Sequence, residues 1–169
     1  HQLNLHLGKY YPPEFGGIEK VTSLIVDNDN QNNHVVICFS NSKQIENDNN
    51  IFRIPVKLNL FSQPISFQYI VKSLREIKNN DIVHIHLPNV FALIVALFIN
   101  DKPIILHWHS DIINNKFLYT FIKPLEKMIL KKASSIIISS YNYLNNSNSL
   151  SLFKSKTKVV PYGIEEPDK

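Results

Sequence analysis

The sequence predicts an α/β fold, a doubly wound Rossmann-like parallel sheet of about seven strands with helices on both faces. Three observations predict it. Short β-rich apolar runs alternate with segments of helical periodicity along nearly the whole chain. Such alternation implies parallel strands joined by right-handed crossovers. A length of 169 residues suffices for one core and leaves no room for a second.

The elements follow in order. LNLHLG (Leu3 to Gly8) is the first strand, and Gly17 to Asn28 is a helix whose Ile18, Val21 and Ile25 face inward. HVVICFS (His34 to Ser40) and IFRI (Ile51 to Ile54) are strands two and three, with the Asn-rich stretch Asn47 to Asn50 between them as a loop. Ile65 to Ile77 is a helix with Phe67, Ile70, Val71, Leu74 and Ile77 on one face. DIVHIH (Asp81 to His86) is strand four, Asn89 to Asn100 a nearly all-apolar buried helix, and PIILHWH (Pro103 to His109) strand five. Lys116 to Lys132 is a helix in which Pro124 predicts a kink or a break. SSIIIS (Ser135 to Ser140) is strand six, Tyr141 to Ser147 a short helix or turn, and KVVPYG (Lys158 to Gly163) strand seven. In the common order 3-2-1-4-5-6, winding reverses between strands one and four, and ligands bind at the strand C-terminal ends beside that point. The loops after Gly8, His86 and His109 therefore matter most.

Composition narrows the function classes. Hydrophobic residues at 44% and charged residues at 19% are globular values, far from the disordered range. The single cysteine, Cys38, lies in an apolar strand and reads as a small core residue in a reducing cytoplasm. The longest apolar run, Val90 to Ile99, is about half a membrane span, and no signal peptide is visible. A net charge of +4 is too small to argue for nucleic acid. Lysines do gather at Lys116, Lys123, Lys127, Lys131 and Lys132, which reads either as a solvated helix face or as a peripheral contact with an anionic membrane.

Two constellations carry chemistry. In GKYYPPEFGGIEKV (Gly8 to Val21) the glycines come late, at Gly16 and Gly17 directly before a helix, which departs from the dinucleotide fingerprint. Glycines there let a ligand approach the backbone, and the helix N-terminus offers free N–H groups to an anionic diphosphate; the plain alternative is a turn and a helix start. Glu19 fits either dipole compensation or a ligand contact. The second constellation is the pair of H-x-H runs: His84 with His86, and His107 with His109, each pair on one strand face. The deeper His84 and His107 read as packing, whereas His109 and Asp111, at the loop edge, read as functional.

These residues resemble a family. YYPPEFGGIEKV, DIVHIHLPN, KPIILHWHSDI, ASSIIISSYNY and VVPYGIEEP match, in order and nearly end to end, the N-terminal domain of the group-1 (family 4) GT-B retaining glycosyltransferases. The resemblance implies an acceptor-side domain over residues 1–160, residues 161–169 as the start of an interdomain linker, and a donor-binding C-terminal domain beyond. It implies transfer of a hexosyl group from a GDP- or UDP-linked sugar to a glycan or lipid-linked acceptor in cell-surface polysaccharide synthesis, with retention and with neither metal nor cofactor. Gly16, Gly17 and Glu19 then border the donor diphosphate, His109 lies against the donor sugar with Asp111 orienting it, and Tyr10, Tyr11, Lys20 and Asn89 are acceptor contacts. The chain by itself is expected to be inactive.

Two other readings stay open. The H-x-H pairs with Asp111 also suit a zinc hydrolase, which leaves the glycine loop without a task. A stand-alone module binding a sugar or an anion is the non-enzyme alternative.

Overall fold

The computed structural model describes residues 1–14, 16–110 and 116–162. Strands β1 (Leu3–Leu7) and β2 (Asn33–Ser40) flank helix α1 (Gly17–Asn28), and β3 (Glu46–Asp48) turns back onto β4 (Ile51–Pro55). A hairpin of β5 (Leu58–Leu60) and β6 (Gln63–Ile65) leads into α2 (Phe67–Ile77). The second half runs β7 (Ile82–Leu87), α3 (Val90–Ala96), β8 (Ile104–Trp108), α4 (Lys116–Lys132), β9 (Ser135–Ile138) and α5 (Tyr141–Asn146). A 3-10 turn at Ser151–Lys156 precedes β10 (Thr157–Val159).

The main sheet has eight strands in the order β10-β9-β8-β7-β1-β2-β4-β3, all parallel except β3, and β5 and β6 form a separate two-stranded sheet. The parallel part reproduces the expected doubly wound order, with β1 and β7 as the central neighbours where winding reverses. The sequence predicts about seven strands; the additions are β3, inside the stretch read as a loop, and the β5–β6 hairpin. Both are two-residue turns with positive φ at both turn positions, Asn49 and Asn50 in one, Phe61 and Ser62 in the other. Helix α4 is one continuous helix through Pro124, so of the expected kink or break the break does not occur.

Alternation along each strand divides the sheet into two unlike faces. Leu5, Leu7, Ile37, Phe39, Val83, Ile85, Leu87, Ile104, Leu106 and Trp108 form one continuous core with Tyr69 of α2, Ala92 and Leu93 of α3, and Ile129 and Leu130 of α4. The opposite face carries α1 and a small cluster of Tyr11, Val36 and Cys38 packed against Val26 and Ile51. Cys38 is fully buried and burial pushes its thiol up to about 12, so it is an inert core residue. The rest of this second face is lined by histidine.

Candidate functional site

The strand C-terminal ends of β1, β7 and β8 share one rim because the strands are parallel. Asn89 ties the rim together. It caps α3 by accepting from the Ala92 N–H (3.1 Å), and its amide donates to the Gly8 carbonyl (3.0 Å) and to the Tyr69 hydroxyl (3.1 Å). Tyr69 in turn donates to Gly8 (2.9 Å), and its burial raises its hydroxyl pKa. Asn89 is 1% exposed and its amide is spent on the scaffold, so it serves to hold the loops rather than to meet an acceptor.

The glycine loop is pinned from below. Arg53 donates to the carbonyls of Tyr11 (3.2 Å) and Pro12, with its guanidinium 5.9 Å from the Tyr11 ring centre. Tyr11 is therefore buried, and burial pushes its hydroxyl up to about 12; Tyr10 beside it is half-buried. Lys9 donates to the Ser62 carbonyl at 2.7 Å, which moors the β5–β6 turn to the rim. Burial pulls the Lys9 ammonium down, and the nearby Glu19 partly offsets this.

Gly16 caps α1 with extended backbone, and no side chain caps the helix. The two glycines differ in what their missing side chains leave free. A Cβ on Gly16 would stand 1.9 Å from the Glu19 Oε2 atom, so Glu19 folds back over the helix start, where the dipole favours its charge. A Cβ on Gly17 would meet nothing within 4 Å. Gly17 is thus the open face of the helix N-terminus, with Lys20 exposed a turn along.

From the β1 side to the β8 side runs a column of imidazoles on the α1 face. His6 and His84 rings lie 4.5 Å apart, His86 and His107 4.3 Å, and His86 and His109 5.5 Å, with planes within 15° of parallel. Their nitrogens pair with each other. His34 contacts His6 (2.9 Å), His6 contacts His86 (3.0 Å) and His86 contacts His109 (3.2 Å); beside this line His84 contacts His107 (2.9 Å). At one end His34 meets Asp29 (3.2 Å); at the other, His109 meets the Tyr162 hydroxyl (2.5 Å). Thr22 of α1 lies 3.3 Å from His86, which places the helix that begins at Gly17 over the same column.

Burial, reinforced by neighbouring rings, holds His6, His86 and His107 far below the ordinary imidazole range, and burial lowers His84 and His109 to about 4. Neutral stacked rings that spend their nitrogens on one another are not a chelate, and among the described residues no three His, Cys, Asp or Glu side chains converge on a metal-sized point. His84 and His107, expected as packing, are inner members of the column. His6, His34, Asp29, Tyr162 and Lys9 were not legible as site residues. Asp111 lies outside the described residues.

The chain is 29% identical over 175 residues to O-antigen chain mannosyltransferase C of Escherichia coli, covering 97% of this chain and 46% of that protein. It is 29% identical over 171 residues to the D-rhamnosyltransferase WbpZ of Pseudomonas aeruginosa, covering 96% and 45%. The chain thus spans about half the length of these curated relatives. In structure it is similar to HepE of Anabaena, solved in complex with UDP-glucose, with a TM-score of 0.62 at 20% identity, over 98% of this chain and 45% of that one. That likeness shows the Rossmann-like fold of the N-terminal half of GT-B glycosyltransferases. With residues 15–166 matching its sequence model, this chain belongs to glycosyltransferase family 4.

Proposed function

We propose that residues 1–160 are the acceptor-side half of a retaining hexosyltransferase of cell-surface polysaccharide synthesis, with residues 161–169 leading to a donor-binding half. The observation that carries this reading is the open helix start at Gly17 on the same sheet rim as His109, with α1 tied to the histidine column through Thr22. Relatives named as a mannosyltransferase and a rhamnosyltransferase, and a fold neighbour holding UDP-glucose, support a nucleoside diphosphate sugar as donor.

In such a transfer, positive charge develops on the sugar ring and negative charge on the departing diphosphate. The N–H groups of the first turn of α1 and its dipole stabilise the diphosphate, with Lys9 near by, and His109 orients the sugar by hydrogen bonding. Asp111 is the proposed partner of His109 or of the acceptor hydroxyl. No metal is required in this scheme, because fixed dipoles and basic groups neutralise the leaving group. The acceptor approaches between the glycine loop, with Tyr10 and Lys20, and the β5–β6 hairpin, whose Leu58, Leu60 and Phe61 are about half exposed. Those apolar side chains suit a lipid-linked acceptor.

The test is Gly17→Ala in the longer enzyme. The open space around Gly17 means the fold accepts a methyl group, and a helical Gly→Ala change raises stability by about 0.5–1 kcal/mol. The same methyl stands where the diphosphate approaches, so donor KM rises and kcat/KM falls by about tenfold or more. An unaltered donor KM would overturn the assignment. The 169-residue chain assayed alone transfers nothing, and nucleotide-sugar binding without turnover by the longer protein would instead favour a binding module.

A further inference from the structure

A neutral imidazole has one N–H, so a ring bonded on both sides donates through one nitrogen and accepts through the other. A row of such rings has two polarities, and the group at one end decides between them. In this chain every link joins Nε2 of one ring to Nδ1 of the next. His34 Nε2 faces Asp29 Oδ2 (3.2 Å), His6 Nε2 faces His34 Nδ1 (2.9 Å), His86 Nε2 faces His6 Nδ1 (3.0 Å) and His109 Nε2 faces His86 Nδ1 (3.2 Å). The parallel row repeats the pattern, with His107 Nε2 on His84 Nδ1 (2.9 Å) and His84 Nε2 on Asn4 Oδ1 (3.3 Å).

Asp29 breaks the symmetry. Its side chain is one-third exposed, and the amide of Asn32, the backbone N–H of Gln31 and His34 together hold its carboxyl below the usual range, so it is an anion that only accepts. In its neutral form His34 then donates from Nε2 and accepts at Nδ1, and each following ring inherits the same arrangement as far as His109. The Thr22 hydroxyl donates its one proton to the Ile18 carbonyl (3.0 Å), so in this polarity it meets His86 Nδ1 at 3.3 Å by hydrogen bonding only when that proton turns from Ile18 to His86.

We propose that Asp29, His34, His6 and His86 are positioning residues that hold His109 as its Nε2–H tautomer, so that the nitrogen it presents at the rim, Nδ1, is an acceptor for a hydroxyl proton. Tyr162 supplies that hydroxyl at 2.5 Å. A hydroxyl of the transferred sugar takes its place on donor binding, which restricts the donor to sugars carrying a hydroxyl at the contacted carbon. This last step rests on the proposed transferase site; the tautomer does not.

The experiment is 15N NMR of the chain labelled in its histidine rings, with the His109 signals assigned by their loss in His109→Gln. Expected are a bare Nδ1 and a protonated Nε2 at His109 at pH 7.5, retained in Asp29→Asn, whose Oδ1 still accepts. Asp29→Lys places a donor-only group against His34 and moves His109 toward the Nδ1–H form. Asp29→Ala, which tests the same point should the lysine variant misfold, gives an intermediate, mixed tautomer. A protonated Nδ1 in the unsubstituted chain, or a His109 tautomer indifferent to both Asp29→Lys and Asp29→Ala in folded protein, would overturn the proposal. Titration of the longer enzyme with UDP-glucose and with GDP-mannose separates the two layers. His109 ring signals that move with either donor support the sugar contact, and signals that ignore both while the donor binds overturn that contact and leave the tautomer result standing.

Discussion

Burying an imidazole costs little when both nitrogens find partners and a great deal once the ring is protonated. His6, His84, His86, His107 and His109 are all held neutral in the fold, whereas the same rings in an unfolded chain bind a proton near pH 6.5. Between about pH 6.5 and 4 the unfolded state therefore carries more protons, and stability falls as pH falls; above pH 7 these rings are neutral in both states and add no slope. The five rings act in the same direction, so the loss accumulates as pH falls below 6.5. Urea midpoints measured at pH 7.5, 6 and 5 should drop steeply across that interval, and a flat profile would contradict the neutral column. Only part of the column is legible in sequence. H-x-H alternation places His84 with His86, and His107 with His109, on shared faces because strand period is local. That His6 and His34 join them depends on which strands pair, and those partners lie 80 and 28 residues away along the chain.

Most element boundaries in the parallel part were legible because each element keeps one period and ends at a recognisable signal; the exceptions are α3, which ends at Ala96 and not Asn100, β10, which ends at Val159 and not Gly163, and Ile65, which closes β6 and does not open α2. Helix α1 begins at the second glycine of the pair with Gly16 as its cap, and α3 begins directly after the Asn89 cap. The misses share a cause, since they lie where local signals are weak or double. Asn49-Asn50 is a two-residue turn of residues that tolerate positive φ, embedded in a polar run that reads equally as a loop. Phe61-Ser62 carries no turn signal at all, because both residues disfavour the φ values of 50° and 62° they adopt. In α4 the apolar residues form two adjacent stripes, and periodicity does not say which is buried: Ile122, Ile129 and Leu130 pack inward, while Phe117, Phe121 and Met128 are exposed. The strained turn yields a prediction. Replacing Phe61→Asn together with Ser62→Gly supplies the residues such a turn favours and removes left-handed strain from both positions. The Lys9 bond to the backbone carbonyl of residue 62 is retained. The double variant should gain about 1–2 kcal/mol in urea denaturation; a loss would mean that the exposed Phe61 ring packs on something that stabilises the fold.

For the molecule as a whole, the outward stripe of α4 bears on where a transferase would work. No described helix is long and apolar enough to cross a membrane. Yet Phe117 (74% exposed), Phe121 (65%) and Met128 (48%) recur at helical spacing on one stripe, the two rings packed edge to face 5.2 Å apart, with Leu152 (72%) exposed on the neighbouring turn. Lys123, Lys127 and Lys131, four residues apart, form an exposed row along the flank of that stripe. An apolar ridge edged by cations suits the headgroup boundary of an anionic bilayer, where each lysine contributes about 1 kcal/mol and exposed aromatic rings add buried area. Packing on the sheet uses the other stripe, with Ile122, Ile129 and Leu130, and α4 is continuous through Pro124, so the outward stripe stays available to a surface. Co-sedimentation of the protein with phosphatidylserine-containing vesicles should show binding that falls as salt rises from 50 to 500 mM, on the order of tenfold or more, because exposed charges are screened over a few ångströms at the higher end. Changing Lys123, Lys127 and Lys131 to Gln removes the salt-dependent part, and changing Phe117 and Phe121 to Ser removes the remainder without unfolding the chain, since neither ring is part of the core. Equal binding to neutral and anionic vesicles, or none to either, would overturn this reading of the stripe.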